Sequence, residues 1–124
     1  MPLTYRIDPA HGIVTITGDY TEAGGWRELL GAVARDPEYR RGFNFIRDLR
    51  DSAHPVSADA VIGIIAVVRE FWGTLGARRA AIVTGPGMDI PAVIAHALAT
   101  DEQIPLRAFT AYDDAVAWLA GTDE

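Results

Sequence analysis

Asp48, Arg50, Asp51, Ser52 and His54 crowd one short stretch of this chain, and Asp59 follows close behind. Carboxylates and an imidazole so near one another are the groups that hold a hard or borderline cation, or that move protons as acid and base. Their spacing matches no known ligand motif. The favoured reading is therefore a solvated loop in which Asp48 pairs with Arg47 or Arg50, since loops favour Asp and Ser for turn chemistry alone. Asp48, Arg50, Asp51 and His54 stand as a candidate polar loop site, with no metal and no cofactor expected. Ser52 and Ser57 are candidate phosphoacceptors, because a helix N-terminus favours phosphate. The plainer reading makes Ser57 a helix cap and Ser52 a loop hydroxyl. Gly85-Pro86-Gly87 lacks the glycine spacing of a dinucleotide fingerprint and reads as a strand-to-helix turn. His96 reads as a satisfied or surface histidine, and His11 as a turn residue. No catalytic residue is assigned, and the chain is read as not an enzyme.

Composition removes several function classes. The chain has 124 residues, which fits one domain over 1–124. A chain this long buries roughly two-thirds of its unfolded surface, enough for a core without staples. There is no cysteine, which excludes disulfides, thiolate metal sites and cysteine nucleophiles. All eleven basic residues are arginine, so lysine Schiff-base chemistry and a Walker-type phosphate loop are excluded too. The formal net charge is −6. Ten acids and ten arginines cancel over residues 1–84, while residues 85–124 hold seven acids and only Arg107. An acidic C-terminal third repels phosphate backbones, so nucleic acid is not an expected partner. The N-terminus lacks the apolar run of a signal peptide. The longest apolar run, Ala60–Val68, falls far short of the roughly 20 residues of a membrane span. A soluble cytoplasmic protein is expected.

The elements that must position these residues follow from periodicity. Leu3–Ile7 and Ile13–Thr17 alternate apolar and polar around the turn cluster Asp8–Gly12, which predicts an antiparallel hairpin. Thr21 can cap a helix from Glu22 to about Arg35, with Trp26, Leu29, Leu30 and Val33 at helical spacing. A strand at Asn44–Arg47 leads into the polar loop. A helix then runs from about Ala58 to Leu75, with Gly76 as its stop. Ala80–Thr84 is a short continuous apolar run, the pattern of a strand buried on both faces of a parallel sheet. A helix over Pro91–Ala99, a strand at Leu106–Phe109 and a helix over Tyr112–Leu119 complete the chain. The order is β-β-α-β-α-β-α-β-α, an α/β fold with a mixed, mostly parallel sheet of about five strands and about four helices.

Four features can be set beside a known family. They are the opening hairpin with Gly18 after it, Asp48-Leu49-Arg50 after the central strand, the strand Arg79-Ala80-Ala81-Ile82-Val83, and the ending Phe109 with Ala115-Val116-Ala117-Trp118-Leu119. Together with the order of elements they resemble the STAS domain, and more closely the SpoIIAA-like branch of bacterial proteins. The resemblance implies a non-enzymatic module that binds protein partners or small apolar ligands. The fold is also similar to that of lipid-carrying SEC14-type domains. Anti-sigma-factor antagonists of this kind carry Asp-Ser, usually followed by a small residue and glycine, where the helix begins, and the serine is phosphorylated. Here Asp51-Ser52 is followed by Ala53-His54-Pro55. Pro55 biases His54 away from helical geometry, which places Ser52 in the loop before the helix.

The Ala58–Leu75 helix is apolar on more of its surface than one sheet face can cover. Val61, Ile64, Ile65, Val68, Trp72 and Leu75 form one stripe, and Ile62, Ala66, Val67 and Phe71 widen it. Its cover is the chain's own third helix over Pro91–Ala99, a second copy of the chain, or an apolar ligand. Ile64, Val67, Val68, Phe71 and Trp72 are the candidate interface or pocket residues. A ligand pocket would be lined by Ile64, Val68, Trp72, Val93 and Ala97. The expected function is a non-catalytic binding or regulatory module, a homodimer with a protein partner. The alternative is a carrier or sensor of a small apolar, lipid-like ligand, and a third reading is a metal-assisted enzyme at the Asp48–His54 loop.

Overall fold

Asp8 and Gly12 close the first turn. The Gly12 N–H donates to the Asp8 carbonyl at 2.9 Å, and Gly12 takes a φ of 65°, where a side chain is strained. Asp8 Oδ2 lies 2.8 Å from His11 Nδ1, so His11 serves the turn. The two flanking runs then pair antiparallel as β1 (Thr4–Asp8) and β2 (Ile13–Thr17), with Tyr5 opposite Ile16 and Ile7 opposite Val14. This computed structural model describes residues 3–18, 23–50, 58–84 and 104–121.

The rest of the sheet is parallel. After α1 (Ala23–Arg35), β3 (Asn44–Asp48) pairs with β2. After α2 (Ala58–Leu75), β4 (Ala80–Val83) pairs with β3. Beyond that, β5 (Leu106–Phe109) pairs with β4, and α3 (Tyr112–Ala120) follows. The strand order is β1-β2-β3-β4-β5, one mixed five-stranded sheet with only β1 antiparallel to its neighbour. The α/β class and the mostly parallel sheet are as the periodicity predicts, and the described residues hold three helices. The expected helix over Pro91–Ala99, like Thr21 and Gly85-Pro86-Gly87, lies outside them.

Strand alternation sends side chains to two cores. On one face Val14, Ile16, Phe45, Ala80, Ile82 and Leu106 meet Trp26, Leu29, Leu30 and Val33 of α1 and Ile64, Ile65, Val67 and Leu75 of α2. On the other, Ile13, Ile46, Ala81 and Val83 meet Ala115 and Leu119 of α3. All four residues of β4 are buried, as a strand covered on both faces must be.

Part of the cover of α2 comes from α1. Val67 is 2% exposed and shares its core with α1, which packs along α2. Arg27 and Glu70 form an ion pair between the two helices. The last turn of α2 is closed by side chains: the Tyr39 hydroxyl donates to the Leu75 carbonyl at 2.7 Å, and Arg41 Nη1 to those of Gly73 and Thr74. Burial pushes the Tyr39 hydroxyl up to about 12. Gly76 ends the helix with a φ of 61°, and a Cβ there would stand 2.7 Å from the Arg41 guanidinium carbon. Among the described residues, no helix is long and apolar enough to cross a membrane.

Candidate functional site

The end of β3 divides the chemistry of the central loop. Arg47 and Asp48 are consecutive strand residues, so they leave the sheet on opposite faces. The sequence reading ended this strand at Arg47, whereas the structure pairs Asp48 with Val83 and makes it the last residue of β3. The ladder continues one bond further, with the Leu49 N–H donating to the Val83 carbonyl at 2.7 Å.

Asp48 has Arg50 as its partner. Arg50 Nε donates to Oδ1 at 3.0 Å and Nη2 to Oδ2 at 2.7 Å, a bidentate pair. The Arg50 main-chain N–H adds a third bond to Oδ1 at 3.1 Å. These hydrogen bonds, Arg50's side chain first, hold the Asp48 carboxyl below its ordinary value against the opposing effect of burial. The Arg50 guanidinium sits 5.0 Å from the centre of the Tyr112 ring. Around this pair a shallow polar groove runs over Thr4, Arg6, Thr15 and Thr17 of the hairpin. None of the hairpin residues was singled out from the sequence. The signal was there, since Thr4, Arg6, Thr15 and Thr17 are the polar alternates of β1 and β2.

Ser52, Asp51, His54 and Ser57 lie outside the described residues. Among the described residues, no group of three or more His, Asp or Glu side chains could hold a metal ion.

Arg47 goes the other way, into the α1/α2 face, and is 7% exposed. Its Nη1 donates to the carbonyls of Ile16 at 3.2 Å and Asp48 at 3.3 Å, and Nη2 to that of Gly18 at 2.9 Å. The guanidinium carbon stands 5.5 Å from the centre of the Trp26 ring. The arginine thus ties the end of β2 to β3 and stands over an indole ring.

Beside that indole is a cavity of about 80 Å³ with almost wholly apolar walls. Ile16, Phe45 and Ile82 form its floor on the sheet, Trp26 and Leu30 its α1 wall, and Ile64, Val68 and Trp72 its α2 wall. A water needs roughly 10–15 Å³ of such space and several polar partners. Volume for a handful of waters is present, but the walls offer few polar partners for them, so the space suits a mostly apolar molecule. Val68 and Trp72 are only partly buried, which brings the α2 wall within reach of solvent.

Ile64, Val68 and Trp72, three of the candidate interface or pocket residues, line this cavity. Val93 and Ala97, its other expected walls, lie outside the described residues. Val67 is enclosed in the core, and Phe71 packs against that core without lining the cavity. Trp26, Leu30, Phe45 and Arg47 are walls the sequence reading missed. Arg47 was the findable one, since it is a charged residue on the same strand face as Phe45.

Trp26 is 5% exposed, and its Nε1 is buried with no hydrogen-bond acceptor among the described residues. No protein-family model matches the chain, and no curated protein matches it.

Proposed function

We propose that this chain is a non-catalytic binding module, and that its ligand is a small apolar molecule held between the sheet and helices α1 and α2. The cavity carries this reading. It is apolar, it has the volume of a small ring, and three aromatic side chains from three different elements converge on it: Trp26, Phe45 and Trp72. The resemblance to STAS-like domains supports the same class of function, a module that binds and does not catalyse. A protein partner, a second copy of the chain included, has less to hold. Among the described residues Ile62, 51% exposed on α2, is the exposed large hydrophobic side chain, and one such side chain needs no cover.

Native mass spectrometry of gently purified protein tests the reading, followed by thermal melts with added cyclic hydrocarbons and ketones. A bound molecule appears as a mass excess lost on denaturation. A ligand at 100 times its Kd raises stability by about 2.7 kcal/mol. Unmodified protein whose melting is moved by no apolar compound would end the ligand reading and return the module to protein partners.

A further inference from the structure

We infer that the ligand of this cavity is uncharged and carries one hydrogen-bond acceptor, a carbonyl or ether oxygen set in a small apolar body, and that Trp26 Nε1 is the donor that recognises it. The inference rests on the cavity being the binding site and adds what the site selects.

The argument starts from the orphaned indole N–H. Tryptophan's N–H finds a partner in nearly every buried setting, because leaving it without one is a standing free-energy cost. Here Trp26 is 5% exposed and Nε1 has no acceptor among the described residues, while the same side chain lines the cavity. The indole cannot easily turn away, since Arg47 stacks over its ring at 5.5 Å and is itself tied to the carbonyls of Ile16 and Gly18. A ligand oxygen would satisfy the donor without disturbing that stack.

Charge is selected against. Among the described residues the walls hold a single ionisable group, Arg47, whose Nη1 and Nη2 donate to three main-chain carbonyls. A cation would meet that guanidinium, and an anion would be stripped of water among aliphatic and aromatic walls. A hydrocarbon fits the walls but leaves the N–H as it was. A ketone or cyclic ether fits both.

Cyclohexanone and methylenecyclohexane have nearly the same shape and differ in a C=O against a C=CH2. Wild-type protein and a Trp26→Phe variant are titrated with each, and with cyclohexanecarboxylate, followed by proton–nitrogen NMR. In wild type the Trp26 indole proton should move downfield with the ketone and not with the hydrocarbon, while both shift the amides around Ile64 and Val68. The ratio of the two Kd values should then change by roughly 3- to 10-fold against the ketone in the variant. Comparing ratios cancels the different water solubilities of the two probes, and the variant's amide spectrum shows whether it has kept the fold. Should the variant not fold, the downfield shift in wild type still decides. If both probes bind and the indole proton ignores the ketone, the inference fails and the apolar site stands. Tighter binding of the carboxylate also overturns it. If none of the three shifts the cavity amides, the proposed function falls and the inference with it.

Discussion

Arginine in this chain works largely on main-chain carbonyls. Arg41 closes α2, Arg47 ties β2 to β3, and Arg78 and Arg79 reach the carbonyls of Trp118 and Leu119 at the end of α3 and of Gly121 just beyond it. A helix C-terminus carries unsatisfied carbonyls and a partial negative charge, so guanidinium groups there complete the element. Asp48 and Arg50 are the different case, a bidentate pair beside the groove. Its pH dependence has a definite sign. The Asp48 carboxyl lies below its ordinary value of 3.8, held there first by Arg50's side chain. A carboxyl depressed on folding adds stability above its unfolded value, and that stability is lost as pH falls through the folded value. An Asp48→Asn variant should therefore be less stable than wild type at neutral pH. The gap should close as pH drops below about 4. Urea denaturation of both proteins from pH 7 down to 2.5 measures it, and a gap constant with pH would mean that the pair contributes nothing to folding. Asp8 and Glu70 are shifted the same way but are present in both proteins, so they cancel in the difference.

At the scale of elements, the sequence was most legible where one physical cause dominates. β4 is a continuous apolar run because both its faces are buried, and its position came out within one residue. The hairpin was legible from period-two alternation around a turn with Gly12. Element ends were less so. Asp48 reads as a loop residue by type, but the ladder to Val83 makes it strand, and polarity alone cannot tell a strand's last residue from a loop's first. Of the candidate loop site, Asp48 and Arg50 lie among the described residues, and Asp51, Ser52, His54 and Ser57 lie outside them. The cover of α2 could not be read at all, because periodicity gives the apolar stripe and not what packs on it. The structure assigns much of that cover to α1. A Val67→Glu substitution should accordingly destabilise the monomer itself, by about 3 kcal/mol or more, because it replaces a buried aliphatic group with an unpaired charge. Chemical denaturation checks it. A variant as stable as wild type but altered in oligomeric state would put Val67 between copies instead.

At the scale of the whole molecule, the sheet separates two unlike surfaces. The α3 face packs over β3, β4 and β5 and leaves the polar groove beside the hairpin, while the α1/α2 face holds the cavity. The periodicity of α2 offers Ile64, Val68 and Trp72 as walls, but not the walls that α1 and the sheet supply. The cavity exists because Trp26, Phe45 and Trp72 come from three elements and their rings do not fill the space between α2 and the sheet; Phe45 and Trp72 stand 6.4 Å apart, centre to centre. Protein interiors are otherwise close-packed, so an unfilled apolar space costs stability unless something occupies it. Function and stability are then set against each other at the same residues. A Val68→Leu substitution adds a methylene at the α2 wall and should raise the stability of the unliganded protein by about 0.5–2 kcal/mol. It should also reduce the thermal shift caused by an apolar ligand. Leucine's better helix propensity would raise stability as well, but it would leave the ligand shift untouched, so the two effects are read together. Loss of stability on the same substitution would mean that the space is already full in solution and that Val68 is ordinary core.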